Sequence, residues 1–141
     1  MKYDLQRFLK AQERDYDKAL AEIRSGRKRS HWIWYIFPQI RGLGFSTTAD
    51  YYGIRGLGEA QAYMKDPVLR KRLLEITGAL LDLPSADAAA VMGYPDDLKL
   101  RSSMTLFSAA APEEMVFQRV LDKFYDGQPD RKTLEMLSRE S

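Results

Sequence analysis

The feature that most constrains this chain is its punctuation. Pro38, Gly42, Gly44, Gly53, Gly56, Gly58, Pro67, Pro84, Gly93, Pro95, Pro112, Gly127 and Pro129 divide it into short segments. Within most of them, apolar residues recur three and four positions apart, the period of one helix face. The strongest helix begins at Asp66-Pro67. An aspartate caps free backbone N–H groups, and a proline at the next position gives up no hydrogen bond there. Leu69, Leu73, Ile76, Leu80 and Leu83 then form one face, and Pro84 ends it.

The same logic predicts the other elements. Leu5, Leu9, Tyr16, Leu20 and Ile23 make a stripe over residues 4–25, with a break near Ala11 and a stop at Gly26. Short helices are expected over Thr47–Tyr52 and Glu59–Lys65. Ser85 is expected to cap a helix over Ala86–Met92. Asp96–Ala111 follows Pro95, Glu113–Tyr125 follows Pro112, and Asp130 caps a final helix. His31–Phe37 has the aromatic and β-branched content of a strand, but no second run is present to pair with it. With Ser30 as cap and Pro38 as stop, it reads as a short helix. The fold class is all-α, a single-domain bundle of about seven to nine short helices with irregular connections. At 141 residues the chain fits one domain over 1–141, with no repeat or linker.

Composition excludes several functions. There is no cysteine, hence no disulfide scaffold, cysteine nucleophile or thiolate metal site, and with a single histidine no metal site is expected. The N-terminal residues lack the apolar core of a signal peptide, and no apolar run reaches the length of a membrane span, so a cytoplasmic location is expected. A net charge of +2 gives no argument for nucleic acid. The basic residues gather in the first part: residues 1–60 hold 11 Lys/Arg against 7 Asp/Glu, with Arg24, Arg27, Lys28 and Arg29 closest together.

Candidate site residues come from three segments. The first is Arg27–Gln39. On a helix His31 and Tyr35 lie one turn apart with Trp34 beside them, a pocket wall of aromatic faces, a proton donor and an upstream guanidinium; packing alone would also account for the tryptophans. The second is the glycine-rich loop 38–46, which carries Gln39 and Arg41 and leads into a Ser/Thr-rich helix start. Tyr51, Tyr52 and Arg55 extend it as an aromatic and basic rim. The third is Asp96–Phe107, where Lys99 and Ser103 share a helix face; Asp96–Lys99 and Asp97–Arg101 have ion-pair spacing. Gln12 falls within the first apolar stripe and needs hydrogen-bond partners from backbone or ligand. No GxGxxG, P-loop or GxSxG pattern is present, and no cofactor is expected.

Almost the whole chain, from Asp4 to Leu137, resembles the bacterial domain-of-unknown-function family numbered eighteen-ten, whose members are often mislabelled calpastatin. The marks are Arg27–Gln39, Gly42-Leu-Gly44, Tyr52-Gly-Ile54 and Asp97–Phe107, in that order. The resemblance implies an all-α fold and assigns no activity, cofactor or catalytic residue. A fainter likeness is to the NADAR family of ADP-ribosyl glycosidases, on Ala62-Tyr-Met-Lys-Asp-Pro-Val-Leu-Arg70 and the Lys123-Phe124 helix. That family's histidine–tyrosine–phenylalanine core motif has no recognisable counterpart here.

Two functional classes follow. One is a small-molecule site, enzymatic or not, for a phosphorylated or nucleotide-like, ADP-ribose-like ligand. In it His31 is the catalytic proton donor, Trp32, Trp34 and Tyr35 form the wall, Arg27, Arg41 and Lys99 contact the anion, and Gln39 and Ser103 complete the site. The other is a non-enzymatic module that offers an aromatic and basic surface to a protein partner.

Overall fold

The computed structural model describes residues 3–140, which form nine helices. In chain order they are α1 (Gln6–Arg24), α2 (Ile33–Ile36), α3 (Thr47–Tyr52), α4 (Leu57–Lys65), α5 (Pro67–Leu81), α6 (Ala88–Met92), α7 (Asp96–Ala110), α8 (Val116–Tyr125) and α9 (Arg131–Ser138). Side-chain caps written in the sequence set several starts. The Asp66 carboxylate accepts from Val68 N and Leu69 N at 3.0 Å each. Ser46 Oγ accepts from Ala49 N at 3.0 Å and opens α3, and Asp130 accepts from Thr133 N at 3.0 Å and opens α9.

The fold is all-α around one core. α7 lies at its centre, against α8, α4, α6, α9 and α2, while α1 packs on α5 and α2. Leu100, Met104, Leu106 and Phe107 of α7 are fully enclosed and meet Phe117, Tyr63 and Leu73 in the same core.

Several local expectations are corrected. α1 runs through Ala11 without a break, because its inward face is Phe8, Ala11, Gln12, Ala19 and Ile23, while Leu5 and Leu9 stand half-buried beside it. Ser30 does not cap α2. Its hydroxyl donates to Glu22 Oε2 at 2.6 Å, and α2 is a single turn entered through Trp32. Asp87 rather than Ser85 caps α6, accepting from Ala90 N at 3.2 Å, and α8 begins at Val116 rather than Glu113. The expected Asp97–Arg101 pair is not made: Arg101 Nε donates to Gln128 O at 2.8 Å, which ties α7 to the turn before α9. Asp96–Lys99 is made, at 3.3 Å.

The remaining local surprise is a two-residue pairing. Ile40 and Ile54 form an isolated parallel bridge, with Arg41 N donating to Ile54 O at 2.8 Å and Ile54 N to Gln39 O at 2.9 Å.

Candidate functional site

That bridge carries Arg41 and Arg55 to the rim of one cleft. The cleft holds about 310 Å³ and is also lined by Tyr3, Asp4, Arg7, Asp50, Tyr51, Gly53 and Glu59. Gly53 is needed for the approach, since a Cβ there would lie 2.7 Å from the Cβ of Arg41.

The floor is an ion pair. Arg7 Nη1 meets Glu59 Oε2 at 2.7 Å, and the residues are 8% and 1% exposed. Arg7 also donates to Tyr51 O at 2.9 Å, to Gly53 O at 3.0 Å and to Asp4 O. Glu59 Oε1 accepts from Arg55 N at 2.7 Å. Arg7 is thus consumed in clamping the backbone at residues 51 and 53, as a buried charge requires. The free positive charge sits at the rim. Arg55 is exposed, and its guanidinium has no hydrogen bond or ion pair among the described residues. Arg41 donates to Asp50 through Nε at 2.9 Å and Nη2 at 3.4 Å, an exposed pair with both side chains about half in water. Tyr51 lines the same cleft, 58% exposed, and rests edge-on against Tyr52, ring centres 4.8 Å apart. Two guanidinium forks and an aromatic face suit a planar, anionic ligand.

The arginine-bearing segments are backed by α9 and the residues just after it. The Met136 methyl lies 2.8 Å from where a Cβ on Gly42 would be. The Glu140 carboxylate accepts from Leu57 N at 3.0 and 3.2 Å.

The predicted site residues divide among several environments. Trp34 and Gln39 line a narrow crevice of about 10 Å³ that shares Gly53 with the cleft. Lys99 reaches this same segment, its Nζ 5.0 Å from the centre of the Trp34 ring. Arg27 and His31 are exposed. Tyr35 is 5% exposed and its hydroxyl donates to Asp15. Trp32 is 1% exposed, with Nε1 on Glu22 Oε1 at 2.9 Å and Lys28 Nζ 4.8 Å from its ring. Ser103 is fully enclosed, and its hydroxyl has no partner among the described residues. Arg41 alone of the set lines the cleft. Gln12 is held by protein groups, donating to Tyr35 O and Tyr63 Oη at 2.8 Å each.

The family model described as "Protein of unknown function (DUF1810)" matches residues 2–137. The chain belongs to this family. A crystal structure described as that of the conserved hypothetical protein Rv1873 from Mycobacterium tuberculosis is similar to this DUF1810 chain. It shares 46% identity over 96% of this chain and 97% of that one, with a TM-score of 0.95. No curated protein matches. Neither match is to the NADAR family.

Within this DUF1810 chain, the sequence reading reached Arg41, Tyr51 and Arg55 as a rim but missed Arg7, Asp4, Asp50 and Glu59. One signal was available. Arg7 lies next to Phe8 in a helix whose inward positions are otherwise apolar or Gln12, and a cation there demands a partner.

Among the described residues no helix is long and apolar enough to cross a membrane, and no group of His, Asp or Glu has the arrangement of a metal site.

Proposed function

We propose that the Arg41–Arg55 cleft binds a small phosphorylated or nucleotide-like molecule in the cytoplasm. The observation that carries this reading is one cleft lined by the unpaired Arg55, by Arg41 in an exposed pair with Asp50 and by the exposed Tyr51, over a floor where Glu59 already neutralises Arg7. A phosphate takes the two forks, and a base or ring stacks on Tyr51. The Trp34–Gln39 crevice shares Gly53 with the cleft, and Lys99 lies over the ring of Trp34; His31 is the proton donor if the bound molecule is also turned over. A non-enzymatic docking module is the second reading, supported by Phe45, which is 96% exposed on the same loop as Arg41.

A thermal-shift screen with ADP-ribose, NAD, nucleotides and sugar phosphates at millimolar concentration separates the two. The small-molecule reading expects at least one phosphorylated compound to raise Tm by mass action, and Arg41→Ala or Arg55→Ala to abolish the rise without lowering the ligand-free Tm. An unmoved melting curve with every compound overturns it.

A further inference from the structure

A second cleft, of about 390 Å³, runs between α1 and α5 and shares no lining residue with the first. Its floor is Gln12, 1% exposed. The orientation of this amide is fixed by its partners. Nε2 donates to the Tyr35 carbonyl, which can only accept, so Oε1 is left for the other side. That oxygen receives a single contact, from Arg72 Nη1 at 3.5 Å, the outer limit of a hydrogen bond. The Arg72 guanidinium has no other hydrogen-bond acceptor among the described residues, so a buried acceptor and a cationic fork both keep unused capacity inside one cavity. Tyr16 closes the adjacent wall, its hydroxyl donating to Glu75 Oε1 at 2.6 Å.

The walls carry opposite charge. α1 presents Glu13 and Asp17, one turn apart and exposed; α5 presents Lys71 beside Arg72. Among the described residues none of these four is ion-paired; Glu75, the third acid of the cleft, stands on the α5 side beside the bases and is taken up by the Tyr16 hydroxyl. A gap that holds opposite charges apart, over a floor with an unfilled acceptor, matches a guest carrying both signs. A simple anion meets the acidic wall, and a simple cation meets Lys71 and Arg72.

We propose that this cleft binds a free α-amino acid, with its ammonium against Gln12 Oε1 and the Glu13–Asp17 wall and its carboxylate against Arg72 and Lys71. The two charged groups of an α-amino acid are separated by one carbon, so they span adjacent polar groups rather than distant ones. Val68, 42% exposed, and Pro67 offer its side chain an apolar edge. The site is independent of the phosphate reading of the other cleft.

The test is calorimetric titration of the intact chain with each of the twenty common L-amino acids at millimolar concentration, and with the N-acetyl and carboxamide derivatives of any that bind. At least one amino acid is expected to bind. Blocking either end should weaken it about tenfold or more, the worth of one charge-assisted hydrogen bond. Lys71→Ala and Asp17→Asn, both at exposed unpaired positions, should do the same with an unchanged Tm, and Arg41→Ala should leave binding intact. The proposal is overturned if no amino acid binds, if the blocked derivatives bind as tightly as the free compound, if both variants bind as the unaltered chain does, or if Arg41→Ala removes the binding.

Discussion

Arg7 and Glu59, 52 positions apart, meet at 2.7 Å with 7% and 1% of their side chains exposed. The pair joins the first turn of α1 to the first turn of α4, and through Arg7 it also fixes the carbonyls of Tyr51 and Gly53. Removing one member of a buried pair leaves the other charge without compensation, at about 3–5 kcal/mol. Glu59→Gln is expected to lose stability in that range in urea melts. Arg7→Met should lose more, because three carbonyls lose their donor as well. A loss below about 1 kcal/mol in both would show that water reaches the pair.

Leu73 and Ile76 are 1% and 0% exposed on the inward face of α5. Leu73→Ala or Ile76→Ala should each destabilise by about 2–5 kcal/mol, from lost burial plus the cavity left behind. Equilibrium denaturation measures this directly, and a loss under about 1 kcal/mol would mean the site collapses around the smaller side chain.

Glu22 anchors the Arg27–Trp32 segment. Burial pulls its carboxyl upward, but hydrogen bonds from Ser30 Oγ, Arg29 N, Ser30 N and Trp32 Nε1 outweigh this and lower it from 4.5 to about 2. A carboxyl lowered on folding contributes stability that is fully present above the unfolded value. That contribution is lost as pH falls from about 4.5 toward about 2. Stability should therefore fall across that window in the unaltered chain and fall less steeply in Glu22→Gln. Parallel curves from chemical denaturation at stepped pH would refute the assignment.

Gly56 has φ +89° and ψ −169°, a region open essentially to glycine alone. A Cβ there would also lie 1.4 Å from Glu140 Oε1. Gly56→Ala is expected to cost roughly 1–3 kcal/mol and to displace the Glu140 carboxylate from Leu57 N. Amide exchange at Leu57 should then quicken. Glu140→Gln, which keeps an acceptor, should quicken it less; equal exchange in both variants would mean the contact does not protect that amide.

What could be read in the sequence was local. Asp66-Pro67, Asp130 and the 3–4 spacing of Leu69, Leu73, Ile76 and Leu80 carry their own caps and faces, so α5 and α9 were legible. The continuity of α1 was not, because alanine at 11 and 19 is inward only by virtue of what α5 and α2 bring against it. The Arg7–Glu59 pair and the Ile40–Ile54 bridge were equally hidden. Each is a long-range match: Arg7 stands out beside Phe8, but nothing in its own segment names Glu59 as its partner, and Ile40 and Ile54 look ordinary where they stand. The rim of the cleft was legible in part because Arg41, Tyr51 and Arg55 lie close along the chain; its floor was not.

The support that Met136 and Glu140 give to Gly42 and Leu57 has a consequence in time. A chain made from its N-terminus contains Arg41 and Arg55 on the order of ten seconds before α9 is synthesised. The helices that form the core can begin to associate in that interval, while the two loops still lack the surface they rest on. The cleft therefore gains the support of its arginine-bearing segments only after Met136 and Glu140 have been made, and a chain stopped before Met136 would carry Arg41 and Arg55 on segments that lack it.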